Sequence, residues 1–373
     1  MRVIDADGHV NDRLRMEEVA KYMPKGNQFP PVFPELDHLH TFFLRKNKAV
    51  IRTGNPGPNE WIEFIDKTGI EWTVVYPTAG LAVGRIVNED WAIAACKAYN
   101  NWLYDRFLSV SPRIKGMALI PLQNVDSAVE ELNRAVKQLG MLGAMLPSNG
   151  EGLKTHLGAE LYWPVYAEAE KLNCALGVHG GCHHHLGLDS LDTFFPVQAL
   201  GHPFSIMVQA AGMLVNGVFD RFPGLRVAFL EGGTTWVPFL MDRLDRSYEA
   251  KPTTDHVQVN LRGEFTLNLE PGDKPGDYFK RHVREGRIYV GFDSDDDGLG
   301  YAIQKVGREP FVFASDFPHE AVNAETCKRE LGELLSRNDL AEKDKAAILA
   351  ENVQRLYGIG DDRPPTTDHD GSS

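Results

Sequence analysis

Four short stretches of this chain carry side chains that could bind a divalent metal ion or move protons. Asp7 and His9 stand two residues apart in Asp5-Ala6-Asp7-Gly8-His9, and on a strand that spacing puts both on one face. His179 precedes two glycines, Glu231 precedes Gly232-Gly233, and Asp316 opens Asp316-Phe317-Pro318-His319. Two imidazoles with two or three carboxylates form a mixed nitrogen and oxygen ligand set for one divalent ion, suited alike to Zn²⁺, Mn²⁺ or Fe²⁺. Each residue also has a plainer explanation. Asp7 could cap a loop, His179 could be a hydrogen-bonded core histidine, Asp316 could cap the turn at Pro318, and Glu231 could pair with a buried arginine. The metal reading is favoured by a shared position: each group ends an apolar run.

Those runs are Val3–Ala6, Trp72–Tyr76, Gly116–Ile120, Leu142–Leu146, Ala175–Val178, Leu225–Leu230, Ile288–Phe292 and Phe311–Ala314. Unbroken apolar runs suit strands buried on both faces, as in parallel sheets. Helical patterns lie between several of them: Asp126–Leu139, Leu161–Leu172 with Pro164 in its first turn, and Val237–Arg246; Asp344–Leu356 closes the series. Eight strand–helix alternations predict an α/β fold, a TIM (β/α)₈ barrel with reactive groups at the C-terminal strand ends. The alternative is a doubly wound open sheet, but no GxGxxG follows the first run. Pro24–Trp61, His183–Ser205 and Ala250–Gly286 are too long for plain connections, and the first two are expected to cover the barrel mouth. One domain is expected over 1–358. A disordered polar tail is expected over 359–373, where Pro364-Pro365 lies.

Composition narrows the classes. Of 373 residues, 43% are hydrophobic and 24% charged, a globular balance that excludes a disordered or fibrous chain. No apolar run approaches the roughly 18 residues that cross a bilayer. A net charge of -13 repels phosphate backbones, so nucleic acid is not an expected partner. The four cysteines, Cys96, Cys174, Cys182 and Cys327, form no CxxC and no disulfide framework, which fits a reducing cytosol. The opening Met-Arg-Val-Ile-Asp shows no basic-then-apolar leader, and a cytoplasmic location is expected.

The ordered set of motifs resembles the amidohydrolase superfamily, in its amidohydrolase-2 branch with the aminocarboxymuconate-semialdehyde decarboxylase-like enzymes. The matching pieces are Ile4-Asp5-Ala6-Asp7-Gly8-His9-Val10, Val178-His179-Gly180-Gly181, Arg221-Phe222-Pro223-Gly224 through Glu231-Gly232-Gly233, Ala314-Ser315-Asp316-Phe317-Pro318-His319, and Asn352-Val353-Gln354-Arg355-Leu356-Tyr357-Gly358. The resemblance spans residues 1–358. It implies a distorted barrel with long loops over its C-terminal face and a metal at its mouth. The family's first-strand His-x-His is Asp7-x-His9 here; its strand-five His and strand-eight Asp match His179 and Asp316. Where many members carry a strand-six His, this chain has Glu231. The fourth run, Gly143-Ala144-Met145-Leu146-Pro147, lacks the bridging Lys of binuclear members. One metal is therefore expected, on Asp7, His9, His179 and Asp316.

His202, His319, Trp236 and Phe194 are candidates to contact substrate, although Phe194, Phe195 and Trp236 could equally be core. His183-His184-His185 are not expected to share one centre. Asp293, Asp295, Asp296 and Asp297 read as a solvated acidic loop, one of which could orient a ligand histidine. The expected activity is hydrolysis of a small-molecule acyl bond (amide, ester or thioester) by metal-activated water, with Asp316 and Glu231 as catalytic carboxylates. The reasoning is that a charged Glu231 is a base for water and a poor neighbour for a carboxylate substrate. The alternative, which the resembling branch implies, is non-oxidative decarboxylation of an aromatic or unsaturated acid. A catalytically silent binding protein is a third reading. The expected partners are a small-molecule substrate and a second copy of the chain in a homodimer.

Overall fold

The computed structural model describes all residues except 29, 47–53, 251–259, 261, 263, 265, 320–321 and 361–373. Most of the expected tail thus lies outside the described residues. Every predicted apolar run overlaps a strand or strand pair: β1 Asp5–Val10, β2 Thr73–Pro77, β3 Ile114–Gly116, β4 Ala118–Leu119, β5 Gly143–Pro147, β6 Ala175–His179, β7 Arg226–Leu230, β8 Ile288–Asp293 and β9 Phe311–Ala314. All pairing is parallel, in the orders β1-β2-β3 and β4-β5-β6-β7-β8-β9.

Two seams join these halves into a distorted TIM barrel. At the first, the predicted strand Gly116–Ile120 breaks at Met117, so β3 pairs with β2 and β4 with β5. Met117 N–H still donates to Val75 O at 3.1 Å, and Leu142 N–H donates to Gly116 O at 3.0 Å. Asn100, from helix Glu89–Leu103, donates to Leu119 O at 2.9 Å and accepts from Leu119 N at 2.8 Å. At the second seam, Asp316 N donates to Asp7 O at 3.1 Å and His9 N to Phe317 O at 2.7 Å. Buried Asp5 ties three strands there. It accepts from Thr73 Oγ1 at 2.5 Å, Ser315 N and Oγ at 2.8 Å, and Asp7 N at 3.2 Å.

The predicted helices are present with shifted ends: Val125–Leu139, Trp163–Lys171 and Trp236–Glu249. The closing pattern resolves into Glu342–Ala346, a π-turn over Ala347–Glu351, and Asn352–Tyr357. The long segments are more structured than their composition predicts. Pro24–Trp61 contains helix His38–Arg45, and helix Pro58–Thr68 begins within it. The 22-residue helix Phe194–Val215 takes up the second half of His183–Ser205. Ala250–Gly286 contains helix Pro275–Arg284. The four cysteines are free and buried. Among the described residues no helix is long and apolar enough to cross a membrane.

Candidate metal centre

β1 carries Asp7 and His9 on one face, both buried. His179 is the last residue of β6. Glu231 follows β7 with φ +61°, and Asp316 lies two residues beyond β9 with φ +50°. Left-handed backbone is uncommon for residues with side chains, and here it occurs where the chain leaves the barrel rim. These turns gather the predicted residues around the His9 ring. His9 Nε2 lies 3.2 Å from Glu231 Oε1, 3.5 Å from Asp316 Oδ1 and 3.6 Å from Asp7 Oδ1. His179 Nε2 lies 3.3 Å from Asp7 Oδ2.

The tautomers follow from the outer bonds. His9 Nδ1 lies 2.9 Å from Pro77 O, and His179 Nδ1 2.9 Å from Gly180 O. A carbonyl only accepts, so both rings donate from Nδ1, and each neutral ring turns its Nε2 lone pair toward carboxylates. Lone pairs facing anions repel unless a proton or a metal ion lies between them; His179 Nε2 meets Asp7 Oδ1 at 3.3 Å in hydrogen-bond geometry, whereas His9 Nε2 meets no partner. His9 Nε2 and Asp7 Oδ2 are buried without a hydrogen-bond partner, a cost of about 1–3 kcal/mol per atom if nothing else binds them. An ion about 2.0–2.2 Å from each ligand atom holds neighbouring ligands roughly 3.0–3.5 Å apart, which is close to the spacing here. The donor set therefore fits one divalent cation. Glu231 is also within ligand range, because His9, Glu231, Asp316 and His319 form a second group sharing His9.

Burial pushes the Asp7 carboxyl well above the usual range, eased by His9 and reinforced by Glu231 and Asp5; a bound cation reverses that cost. Burial also raises Glu231, but the imidazoles of His179, His202 and His9 around it outweigh that and leave it well below the ordinary range. His202 Nε2 is 3.2 Å from Glu231 Oε2. Burial opposes the charged form of His202, yet its bond to Glu231 and that residue's charge raise it to about 9. His202 reaches the site over Gly180, where an added Cβ would stand 2.6 Å from His202 Cδ2.

His319 stacks on His9 with ring centroids 4.1 Å apart. Its Nδ1 is 2.8 Å from Asp316 Oδ1, and its Nε2 is 2.8 Å from Thr78 Oγ1. Thr78 Oγ1 donates its single hydrogen to Val10 O at 3.0 Å, so it accepts from His319 Nε2–H. The proton between Nδ1 and Asp316 can then rest on either atom. Of the two other candidates, only Trp236 borders these residues. Trp236 packs in the core near Phe229, against the Glu231–Gly233 turn. Phe194 packs edge-on against His40 in a small separate cluster. Asp296 braces the turn after Glu231 by accepting from Thr234 N at 2.8 Å.

Sequence reasoning did not single out Asp5, Thr78 or Asp12. Buried Asp12 accepts from Thr78 N and Ala79 N at 2.7 Å and from Gly80 N at 2.9 Å, which fixes the turn that carries Thr78. It also gave no role to Asp37, whose partner is His183. His183 Nδ1 lies 3.0 Å from Asp37 Oδ2, and its ring lies 4.5 Å from that of His202. An isolated Asp in a polar segment carries no periodic signal, which is why these contacts were not legible.

A family model described as Amidohydrolase matches residues 4–359, and the chain belongs to that family. Among its relatives is 2-amino-3-carboxymuconate-6-semialdehyde decarboxylase of Dictyostelium discoideum, 25% identical over 253 residues. That match covers 66% of this chain and 62% of the relative, less than two thirds of the latter's length. Gamma-resorcylate decarboxylase of Rhizobium sp. (strain MTP-10005) is 26% identical over 307 residues, 80% of this chain and 86% of the relative. The same fold occurs in the dihydroxybenzoic acid decarboxylase of Polaromonas sp. JS666, solved with bound manganese and the inhibitor 2-nitroresorcinol. It has a TM-score of 0.64 and 18% identity, covering 96% of this chain and 97% of the other.

These relatives overturn the expectation of acyl hydrolysis, since they are decarboxylases. The physical argument behind that expectation also fails. It treated Glu231 as a bare negative charge, whereas His202 pairs with it and His9 and His179 lie at 3.2 and 3.5 Å.

Proposed function

We propose that the chain is a metal-dependent decarboxylase of a small aromatic or unsaturated carboxylic acid. Asp7, His9, His179 and Asp316 would hold one divalent ion. The observation that carries this reading is the pair of buried imidazole lone pairs aimed at carboxylates. The gamma-resorcylate and aminocarboxymuconate relatives support the reaction class, and the manganese-bound structural relative supports a divalent ion.

A bound ion would supply a Lewis acid to neutralise the substrate carboxylate and a neighbouring oxygen. The protein's own groups do the rest. The Glu231–His202 pair carries no net charge, so it does not repel an anionic substrate. In the reaction the bond between the carboxyl carbon and its neighbour breaks, carbon dioxide leaves, and the electron pair stays on the remaining carbon. Asp316, in its protonated state, delivers a proton to that carbon, and His319 Nδ1 returns one to Asp316. Thr78 holds the His319 ring in the orientation this requires.

The test uses metal-reconstituted protein with a panel of ortho-hydroxybenzoates, 2,6-dihydroxybenzoate included, in D₂O. The expected result is carbon dioxide release with one deuterium at the former carboxyl-bearing carbon. It should depend on about one equivalent of bound metal, disappear on chelation and return with Mn²⁺. No carbon dioxide from any acid of a panel widened to unsaturated carboxylates, with metal fully bound, would count against the reading.

A further inference from the structure

The three consecutive histidines divide. His183 turns inward to Asp37, whereas His184 and His185 converge on Glu151. We propose that Glu151, His184 and His185 form a second, peripheral site for a borderline divalent cation such as Zn²⁺ or Co²⁺. The site would link the segment after β5 to the segment after β6.

The geometry carries this. Glu151 Oε1 lies 3.0 Å from His184 Nδ1 and 3.8 Å from His185 Nε2, and the three ligand atoms lie within 4.8 Å of one another. Four ligands about 2.0–2.1 Å from a tetrahedral Zn²⁺ stand roughly 3.3 Å apart, a value between the two spacings. At 3.0 Å, His184 Nδ1 would ordinarily be hydrogen-bonded to the carboxylate. It is buried, yet no atom meets it in hydrogen-bond geometry. An oxygen beside the lone-pair axis rather than on it is what two ligands of one ion present to each other.

The backbone is shaped to the same end. His185 adopts φ +58°, a left-handed conformation disfavoured for a side-chain-bearing residue. Its ring thereby stands edge-on to that of His184, with centroids 4.0 Å apart. Asp189 Oδ1 accepts from His185 N at 3.2 Å and lies 4.0 Å from His184 Nε2. Arg85 bonds both Glu151 oxygens at 3.2 Å and also reaches Glu35 O. It therefore orients the carboxylate and leaves two imidazoles and one carboxylate as the donors, a set that prefers Zn²⁺, Co²⁺, Ni²⁺ or Cu²⁺ over Mg²⁺ or Ca²⁺. His184 follows His183, whose ring packs on His202, so an ion here pins a segment that borders the main centre.

The experiment titrates the full chain with Co²⁺, followed by visible absorption, and with Zn²⁺, followed by calorimetry. Variants His185→Ala, Glu151→Gln and His9→Ala are compared with the unaltered protein. His185 is 67% exposed, so its removal does not threaten folding. The expected result is two classes of site. His185→Ala and Glu151→Gln should each weaken one class by roughly tenfold or more and leave the other unchanged, and His9→Ala should do the reverse. Uptake in His185→Ala and Glu151→Gln identical to the unaltered protein overturns the peripheral site. A single class of site, lost in His185→Ala and kept in His9→Ala, would instead support the peripheral site and overturn the central one.

Discussion

Asp316 and Glu231 meet the site through the same device, a residue with a side chain held at positive φ just past a strand. Such a conformation costs on the order of 1–3 kcal/mol and persists only where surrounding bonds impose it. For Asp316 those bonds include its own N–H to Asp7 O and the N–H of His319 to Asp316 O at 2.7 Å. The strain places Asp316 Oδ1 between His9 Nε2 at 3.5 Å and His319 Nδ1 at 2.8 Å, where one carboxylate can face both the proposed ion and a proton source. Asp316→Asn keeps the shape and one ligating oxygen but cannot carry the proton. It should keep most of the metal and lose on the order of 10²–10⁴ in kcat. Glu231→Gln should cost less and should bring His202 down from about 9, visible in an imidazole NMR titration. A metal-replete Asp316→Asn protein with near-normal turnover would remove the proton-carrying role. At this scale the sequence was informative: Asp7, His9, His179, Glu231 and Asp316 are legible because each ends an apolar run. The second bonds of His202 and His319 are not legible, because a helix position and a turn geometry decide them.

Two insertions that look like loops are pieces of one structure beside the candidate metal centre. Asp37 caps helix His38–Arg45 through His40 N at 2.8 Å and also holds His183 of the other insertion. His38 Nε2 lies 2.7 Å from Leu191 O, and Leu39, Leu188 and Val197 bury one another. Helix Phe194–Val215 escaped recognition for a physical reason. Its sequence is apolar on nearly every side and contains Pro203, so it shows neither the amphipathic period nor the uninterrupted run expected of a helix. Titration should separate this joint from the barrel. Burial lowers His183 to about 4, against the pull of Asp37. Since an unfolded histidine titrates near 6.5, protons favour release of His183 as pH falls from about 6.5 toward 4. Burial raises Asp37, but its bonds to His183 and His40 outweigh that and hold it far below the ordinary range. Its contribution is present above the unfolded carboxylate pKa near 3.9 and is lost as pH falls further. Hydrogen exchange should therefore show His38–Arg45 losing protection between about pH 6.5 and 4 while the barrel strands keep theirs. Asp37→Ala should lose that protection already at neutral pH. Equal acid sensitivity in barrel and insertion would show that they open as one unit.

The barrel as a whole is two parallel sheets closed at two seams, and a buried polar residue guards each. Asn100 satisfies the N–H and C=O of Leu119 beside the break at Met117. Asp5 binds β1, β2 and the end of β9 together at the other seam. The eight-run pattern made the barrel legible, because strands buried on both faces must be continuously apolar. It could not show where the ring is weakest, since seams depend on single polar side chains. The seams differ in what they support. Asp5 accepts from Asp7 N and from Ser315 N, the residue before Asp316, so it positions two of the proposed ligands as well as closing the ring. Asn100 lies on the helix behind β4, which carries none of them. Removing either side chain leaves buried backbone or hydroxyl groups unpaired, at about 1–3 kcal/mol for each group. Both Asp5→Ala and Asn100→Ala should therefore lower the denaturant midpoint, with an unchanged denaturation slope if the native state stays compact. Only Asp5→Ala should also weaken metal binding, by roughly 10- to 100-fold, the usual effect of losing a residue that orients ligands. Asp5→Asn keeps the volume and can keep its oxygen toward the two backbone N–H groups, turning only the acceptor that faces the Thr73 and Ser315 hydroxyls into a donor; it should fall between the unaltered protein and Asp5→Ala in both measurements. The measurement is bound metal against free metal at a denaturant concentration where each variant is fully folded. If Asn100→Ala loses metal as completely as Asp5→Ala, the centre depends on barrel stability in general. If Asp5→Ala binds metal as tightly as the unaltered protein, the seam is structural alone.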